Sequence, residues 1–340
     1  MAVEAEKILA QQDLFGNRAM VNIKIERGKF RNLKGELEER VARVGDGSII
    51  CLFNKTSYPK NPNDVVCPHF VELKWANGCY FNCAWCYLQG TYRFHPEWKK
   101  KPNIKDYGKI RLQLNALLHS DSQPEILNAG ELSDSLLTEH TSKAFSSLLG
   151  ELFSANHTKH RVLFLTKSNR VENILKLNLQ NHLIMSFTLN AEKVSKTWEK
   201  GAPGVDKRIE AAKKVFGADY ETRIRIDPMV PIKNWERHYA NLIDEIFSSF
   251  KPERITLGSL RGLQSTINAA KDKSWVMYLK EKSNWGKKIL LETRYKMYST
   301  AIDYLRDEHN YDRIALCKET IEIWEKLGMD YREIRCNCIL

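Results

Sequence analysis

Several common sequence features are missing from this chain, and each absence narrows its chemistry. No basic region followed by an apolar run opens it, so Met1-Ala-Val-Glu-Ala-Glu-Lys7 shows no secretory signal. No apolar stretch approaches the ~20 residues needed to span a bilayer. Asn337-Cys-Ile-Leu340 lacks a cysteine fourth from the end and is not a prenylation box. Internal repeats and low-complexity segments are absent. Eight cysteines in 340 residues are too few for a disulfide scaffold, and their clustering suggests metal in a reducing compartment. The expectation is a cytoplasmic protein with no membrane partner.

The composition that is present is ordinary for a globular chain, with 43% hydrophobic and 28% charged residues, long enough for one large domain or two smaller ones. The formal net charge is +11. That balance favours a polyanionic partner or substrate, the alternative being a solvated basic surface.

The most informative stretch is Asn77-Gly-Cys-Tyr-Phe-Asn-Cys-Ala-Trp-Cys-Tyr-Leu-Gln89. It sets Cys79, Cys83 and Cys86 in a C-x3-C-x2-C spacing, with Tyr87 next. A tight loop with this spacing can aim three thiolates at one [4Fe–4S] cube and leave the fourth iron open for a ligand. A zinc site would want a fourth ligand, usually from a second C-x2-C or a His pair. Cys67 lies upstream outside any pair, and the nearest downstream histidine is His95. Three structural cysteines without metal are the remaining alternative.

From residue 66 onward, strand-like apolar runs near 70–74, 125–129, 162–166, 183–189, 222–226 and 254–257 alternate with helix-like runs near 106–118, 138–154, 170–179, 204–216 and 236–250. Such alternation predicts a parallel α/β sheet with right-handed crossovers, whose ligands sit at the C-terminal strand ends. Residues 1–65 read as a weakly patterned extension with one short strand from Val21. Residues 66–260 read as the main α/β unit and 261–340 as a continuous C-terminal lobe. Within that lobe, helices are expected at 295–307 and 318–327 and strands at 313–317 and 331–336.

The cysteine spacing with an aromatic after the third Cys resembles the radical S-adenosylmethionine superfamily. The run Cys86-Tyr-Leu-Gln89, with Leu127-Asn-Ala-Gly-Glu-Leu-Ser-Asp134, Leu165-Thr-Lys-Ser168, Phe187-Thr-Leu-Asn190 and Ile226-Asp-Pro228, is similar to its spore photoproduct lyase-like branch. The resemblance covers roughly 66–260 and implies a partial (β/α)6 TIM-type barrel. It implies a [4Fe–4S] cluster on Cys79, Cys83 and Cys86, and S-adenosylmethionine cleaved to a 5′-deoxyadenosyl radical. It also implies a reductant such as flavodoxin or ferredoxin. Gly130, Glu131, Ser133, Lys167, Thr188 and Asn190 would contact the cofactor, Lys167 by pairing its ammonium with the methionyl carboxylate. Tyr87 would stand beside the adenosine or the radical path, or shield the cluster.

Two departures stand out. Where the lyases carry a Cys that returns a hydrogen atom to thymine, this chain has Glu131, and Trp85 replaces a common Tyr. A carboxyl O–H is a poor hydrogen-atom donor, so the literal lyase reaction is not expected. Instead Gly130-Glu131 resembles the Gly-Gly-Glu segment of other superfamily members, whose acid binds the methionyl amino group. Cys317, Cys336 and Cys338 are expected near strand ends. Cys336 is a candidate replacement donor or redox thiol, and a second cluster there would need a fourth ligand. The leading function is radical repair or rearrangement of a thymine-derived or otherwise modified nucleobase in DNA or a nucleotide. The basic aromatic stretch Tyr92-Arg-Phe-His-Pro-Glu-Trp-Lys-Lys-Lys101 supports it. Modification of a peptide or small metabolite is the second reading, and a non-catalytic metal-cluster nucleic-acid-binding protein the third.

Overall fold

A computed structural model describes residues 2–9 and 20–340. Residue 1 and residues 10–19 of the expected N-terminal extension lie outside the described residues. Among the described residues the main sheet carries eleven strands. Its first half is an antiparallel meander of Ala2–Leu9, Met20–Arg31, Leu37–Val44 and Ile50–Phe53, which joins Phe70–Leu73 antiparallel. From there the order is Phe70–Leu73, Ile126–Asn128, Arg161–Thr166, Leu183–Leu189, Glu221–Met229, Ile255–Ser259 and Ile314–Leu316, every pair parallel. The six expected strands are therefore present in the expected order. The strand expected at 313–317 extends the same sheet as Ile314–Leu316.

Helices cover the outer face because their apolar residues recur at helical spacing. Trp235–Ser249 buries Trp235, Tyr239, Leu242, Ile243 and Ile246. Val205–Gly217 buries Val205, Ile209, Ala212 and Val215. The strands show the complementary period of two. Ile224 and Ile226 are buried among apolar neighbours, while Arg223, Arg225 and Asp227 alternate with them onto the other face. Ser186 and Thr188 do the same on the neighbouring strand. The inner face of the sheet is thus a polar surface buried inside the protein.

The chain end lies on that face. Asn337 is 0% exposed and donates from Nδ2 to Ser186 Oγ at 2.7 Å and to the Ile224 carbonyl at 3.0 Å. Thr256 Oγ1 donates to Asn337 Oδ1 at 2.7 Å. The guanidinium of Arg223 donates to the carbonyls of Asn337 and Ile339, both at 2.8 Å. The tail thus fills the N-terminal side of the inner face and leaves the C-terminal strand ends open.

Three expectations are corrected. Residues 331–336 form no strand: Asp330 accepts from the Arg332 N–H at 2.9 Å and starts a 3-10 turn, Tyr331–Glu333. Residues 170–179 hold only the short turn Ile174–Lys176, with Val171, Ile174 and Leu179 buried as separate anchors of an irregular connection. The helix expected from 138 begins at Phe145, because the Thr138 hydroxyl accepts from the Phe145 N–H at 2.9 Å and holds the preceding residues in turns.

Candidate functional site

The cysteine loop follows the strand Phe70–Leu73 and is held open by local bonds. Gly78 has φ +97, and a Cβ there would sit 2.3 Å from the Trp98 carbonyl oxygen, so only glycine lets the loop leave. Asn82–Cys83 pairs with Glu199–Lys200. The Gln89 amide donates to the carbonyls of Cys83 at 2.8 Å and Ala84 at 2.9 Å. Cys79 Sγ accepts from the Phe81 N–H at 3.4 Å. Burial, with the Asp134 charge behind it, pushes the Cys79 thiol well up, and burial followed by the Glu199 charge does the same to Cys83.

The loop faces a cavity of about 420 Å³ at the C-terminal strand ends. Cys79, Cys83, Cys86, Tyr87, Gly130, Glu131, Ser133, Lys167 and Thr188 all line it. Asn190 and Cys336 do not. The Asn190 amide is wholly engaged elsewhere, donating to the Pro228 carbonyl at 2.8 Å and accepting from the Tyr239 hydroxyl at 3.1 Å. Asn190 therefore braces the turn after Glu221–Met229 rather than reaching into the cavity. Cys336 sits on the irregular tail and not at a strand end, and lines a smaller neighbouring cavity instead.

Gly130 is required by packing: a Cβ would lie 2.5 Å from Leu165 Cβ and 2.8 Å from the Leu165 carbonyl oxygen. Its closeness lets Asp134 reach the next strand, where it accepts from Thr166 Oγ1 at 2.7 Å and the Lys167 N–H at 2.8 Å. The Glu131 carboxylate receives the Asn128 amide at 3.1 Å and the Tyr87 hydroxyl at 3.3 Å, and Tyr87 also donates to the Glu131 carbonyl. Desolvation first, then the Glu131 charge, pushes the Tyr87 hydroxyl well above its ordinary value. The Ser133 hydroxyl is buried and has no partner among the described residues.

Lys167 lies 3.2 Å from the carboxylate of Glu199, which Arg208 also meets at 2.8 Å. Burial disfavours the Glu199 charge, but the two cations outweigh it and lower its pKa. Glu199 and Arg208 lie behind the wall, so Lys167 is the member of the trio that lines the cavity, with Asp134 and Asp227 also within its electrostatic reach.

The sequence reading missed a second charged group. Asp227 binds Arg261 through both oxygens, at 3.0 and 2.9 Å, and Arg225 at 3.1 Å. Both guanidiniums also donate to the Cys317 sulfur. Lys318 stands 3.8 Å over the Trp285 ring and 4.6 Å over Phe53. All but Cys317 line the main cavity. The alternation Arg223, Arg225, Asp227 within a buried strand was the available signal. In the stretch from Tyr92, Trp98 is stacked on His95 at 4.2 Å and edge-on to Tyr92 at 5.0 Å, while Phe94 is 76% exposed.

A parallel sheet with a three-cysteine loop after its first strand defines a class, and the comparisons name it. The spore photoproduct lyase family model matches residues 17–260, and the chain belongs to that family. The spore photoproduct lyase of Bacillus subtilis (strain 168) is 28% identical over 178 residues, 51% of this chain and 50% of that one. The enzyme from Clostridium acetobutylicum is 27% identical over 180 residues, with coverage of 51% and 50%. The chain thus spans about half the length of the curated relatives it matches. A solved spore photoproduct lyase complexed with dinucleoside spore photoproduct superposes with a TM-score of 0.60 at 19% identity, over 72% of this chain and 75% of that one. A mutant form with bound AdoMet and dinucleoside spore photoproduct gives 0.58 at 20% identity, over 73% and 76%. These likenesses establish the shared fold, a largely parallel α/β sheet of the partial-barrel kind. Among the described residues no helix is long and apolar enough to cross a membrane.

Proposed function

We propose that this chain is a radical S-adenosylmethionine enzyme that repairs or rearranges a thymine-derived or related modified nucleobase. The observation that carries this reading is one cavity of about 420 Å³ that gathers three cysteines, a buried unpartnered hydroxyl at Ser133 and a wall of lysines and arginines interleaved with carboxylates. Cys79, Cys83 and Cys86 would hold a [4Fe–4S] cluster. The loop offers three cysteines without a second C-x2-C or a His pair to complete a tetrahedral site, so a single zinc suits it less well than a cluster in which each sulfur takes its own iron. When bound, the cluster would supply the electron that cleaves S-adenosylmethionine to a 5′-deoxyadenosyl radical.

The chain's own residues do the rest. Glu131 would accept the methionyl ammonium, fixed for that task by Asn128 and Tyr87. Lys167 would offer its charge to the methionyl carboxylate, and Ser133 and Thr188 their hydroxyls. Arg225, Arg261 and Lys318 supply positive charge for a nucleotide phosphate, and Trp285 and Phe53 an apolar wall. A base can enter such a cavity only outside its stack, so the substrate is a flipped base, a single strand or a nucleotide. The lyase solved with dinucleoside spore photoproduct supports the substrate class. Glu131, where the lyases carry their donor cysteine, argues for a different way of quenching the product radical.

Anaerobic reconstitution with dithionite, S-adenosylmethionine and thymine-deuterated lesion-bearing oligonucleotides tests this reading. We expect deuterium in 5′-deoxyadenosine, and no cleavage in Cys83→Ala protein. Cleavage that never takes deuterium from DNA would overturn the nucleobase assignment. No reductive cleavage at all would overturn the radical one.

A further inference from the structure

A second cavity lies beside the first, sharing Glu131, Arg225 and Lys318 with it. Four cysteines line it: Cys67, Cys317, Cys336 and Cys338. They come from three distant parts of the chain. Cys67 precedes the strand Phe70–Leu73, Cys317 ends the strand Ile314–Leu316, and Cys336 and Cys338 lie on the tail. None of the four is in a disulfide. Cys336 and Cys338 flank the anchored Asn337, Cys67 stands within electrostatic reach of Cys317, Cys336 and Cys338, and Cys317 within reach of Cys338. With Cys79, Cys83 and Cys86 at the first site, seven of the eight cysteines fall into two groups, leaving only Cys51.

Two further observations point to a ligand. The first is a set of donors aimed at sulfur. Arg225 and Arg261 donate to Cys317, and the Asn128 amide reaches Cys338 at 3.8 Å. Packing cysteines need no such donors, whereas metal-bound thiolates are tuned and partly neutralised by them. The second is the anchoring of the tail. The Asn337 side chain and backbone bond to Ser186, Ile224 and Thr256, which fixes the two flanking sulfurs on the inner face. From sequence, the C-terminal cysteines lacked a fourth ligand; the fold supplies Cys67.

We propose that Cys67, Cys317, Cys336 and Cys338 hold a second iron–sulfur cluster beside the main cavity. All four cysteines line one small cavity, of about 20 Å³ with the thiols as they stand, so a cluster would be seated there as the sulfurs move apart around it. Four cysteine ligands are the set that a [2Fe–2S] or [4Fe–4S] cluster takes, and donors aimed at the sulfurs are what set such a cluster's potential. Lys318, with Arg225 and Arg261 beyond their pairing with Asp227, offsets part of the negative charge of the thiolates, to which Glu131 adds its own.

The test begins with protein in which Cys79, Cys83 and Cys86 are all alanine, so the result does not depend on the first cluster. After anaerobic reconstitution with iron and sulfide we expect about two to four irons per chain with matching acid-labile sulfide, the content of one cluster held by four cysteines. Adding Cys317→Ala or Cys338→Ala should remove them. A folded triple variant, judged by circular dichroism, that binds no iron would overturn the proposal, as would stoichiometric zinc without sulfide. If the triple variant does not fold, the unaltered chain decides: iron clearly above the ~4 of one cubane supports the second cluster. About four irons, with Cys67, Cys317, Cys336 and Cys338 all alkylated on peptide mapping, refutes it.

Discussion

Removing Lys167 separates binding from stability in a way the geometry makes quantitative. Lys167 and Arg208 both face Glu199, whose side chain is fully buried, as is that of Arg208. Lys167→Ala leaves Glu199 and Arg208 as a matched pair, so the fold should lose little. What disappears is the ammonium that lines the cavity. A charge-assisted hydrogen bond to the methionyl carboxylate is worth roughly 1.5–3 kcal/mol, on the order of a tenfold to hundredfold loss in S-adenosylmethionine affinity. Glu199→Gln should do the reverse. It strands two cations, one fully buried, at a cost of about 3–5 kcal/mol in stability. Anaerobic calorimetric titration with S-adenosylmethionine, iron analysis and urea unfolding read the three quantities. Unchanged affinity in Lys167→Ala protein, or affinity lost only together with iron, would refute the assignment. A Glu199→Gln protein as stable as the parent would refute the charge argument beneath it.

Other outcomes follow from packing and titration. Gly130→Ala should destabilise by about 1–3 kcal/mol, because its Cβ would collide with Leu165 at 2.5 Å, and it should weaken S-adenosylmethionine binding beyond that by displacing Glu131 and Ser133; a thermal melt beside a binding isotherm checks both. Burial lowers the His160 pKa from 6.5 to about 4, and its Nδ1 accepts the Glu125 N–H at 3.1 Å. The unfolded chain therefore takes up this proton first as pH falls. The contribution is complete above pH 6.5 and is lost progressively down to about pH 4, amounting to about 3 kcal/mol. Urea unfolding across that window should show a shallower pH dependence in His160→Gln protein; an identical slope would count against it.

Much of the fold was legible because parallel strands buried on both faces announce themselves as short apolar runs between turns. The strand Leu183–Leu189 has the bounds read from its sequence. Residues 20–53 were harder. Their strands carry charge on the exposed side, and a register shift between Glu26 and Arg27 breaks the period of two. The stretch 170–179 misled because three buried apolar anchors at near-helical spacing look like one face of a helix.

Legibility of the site followed a different rule. Cys79, Cys83 and Cys86 lie within one loop, so their spacing in the chain is close to their spacing in space. Gly130, Glu131, Ser133, Lys167 and Thr188 stand at strand ends, where a parallel sheet brings successive segments together whatever their separation in the chain. Both kinds of convergence can be anticipated. Glu199 could not be, since it reaches Lys167 only through a two-residue pairing with the cysteine loop at Asn82–Cys83. Nor could Cys67 be joined to Cys336 and Cys338. That meeting depends on the tail turning onto the inner face, where Arg223, Thr256 and Ser186 receive Asn337. The alternation of Arg223, Arg225 and Asp227 with Ile224 and Ile226 nevertheless marked that face as polar in the sequence itself. A buried polar face must find partners. Here the tail satisfies its lower half, and the upper half lines the cavity we assign to cofactor and substrate.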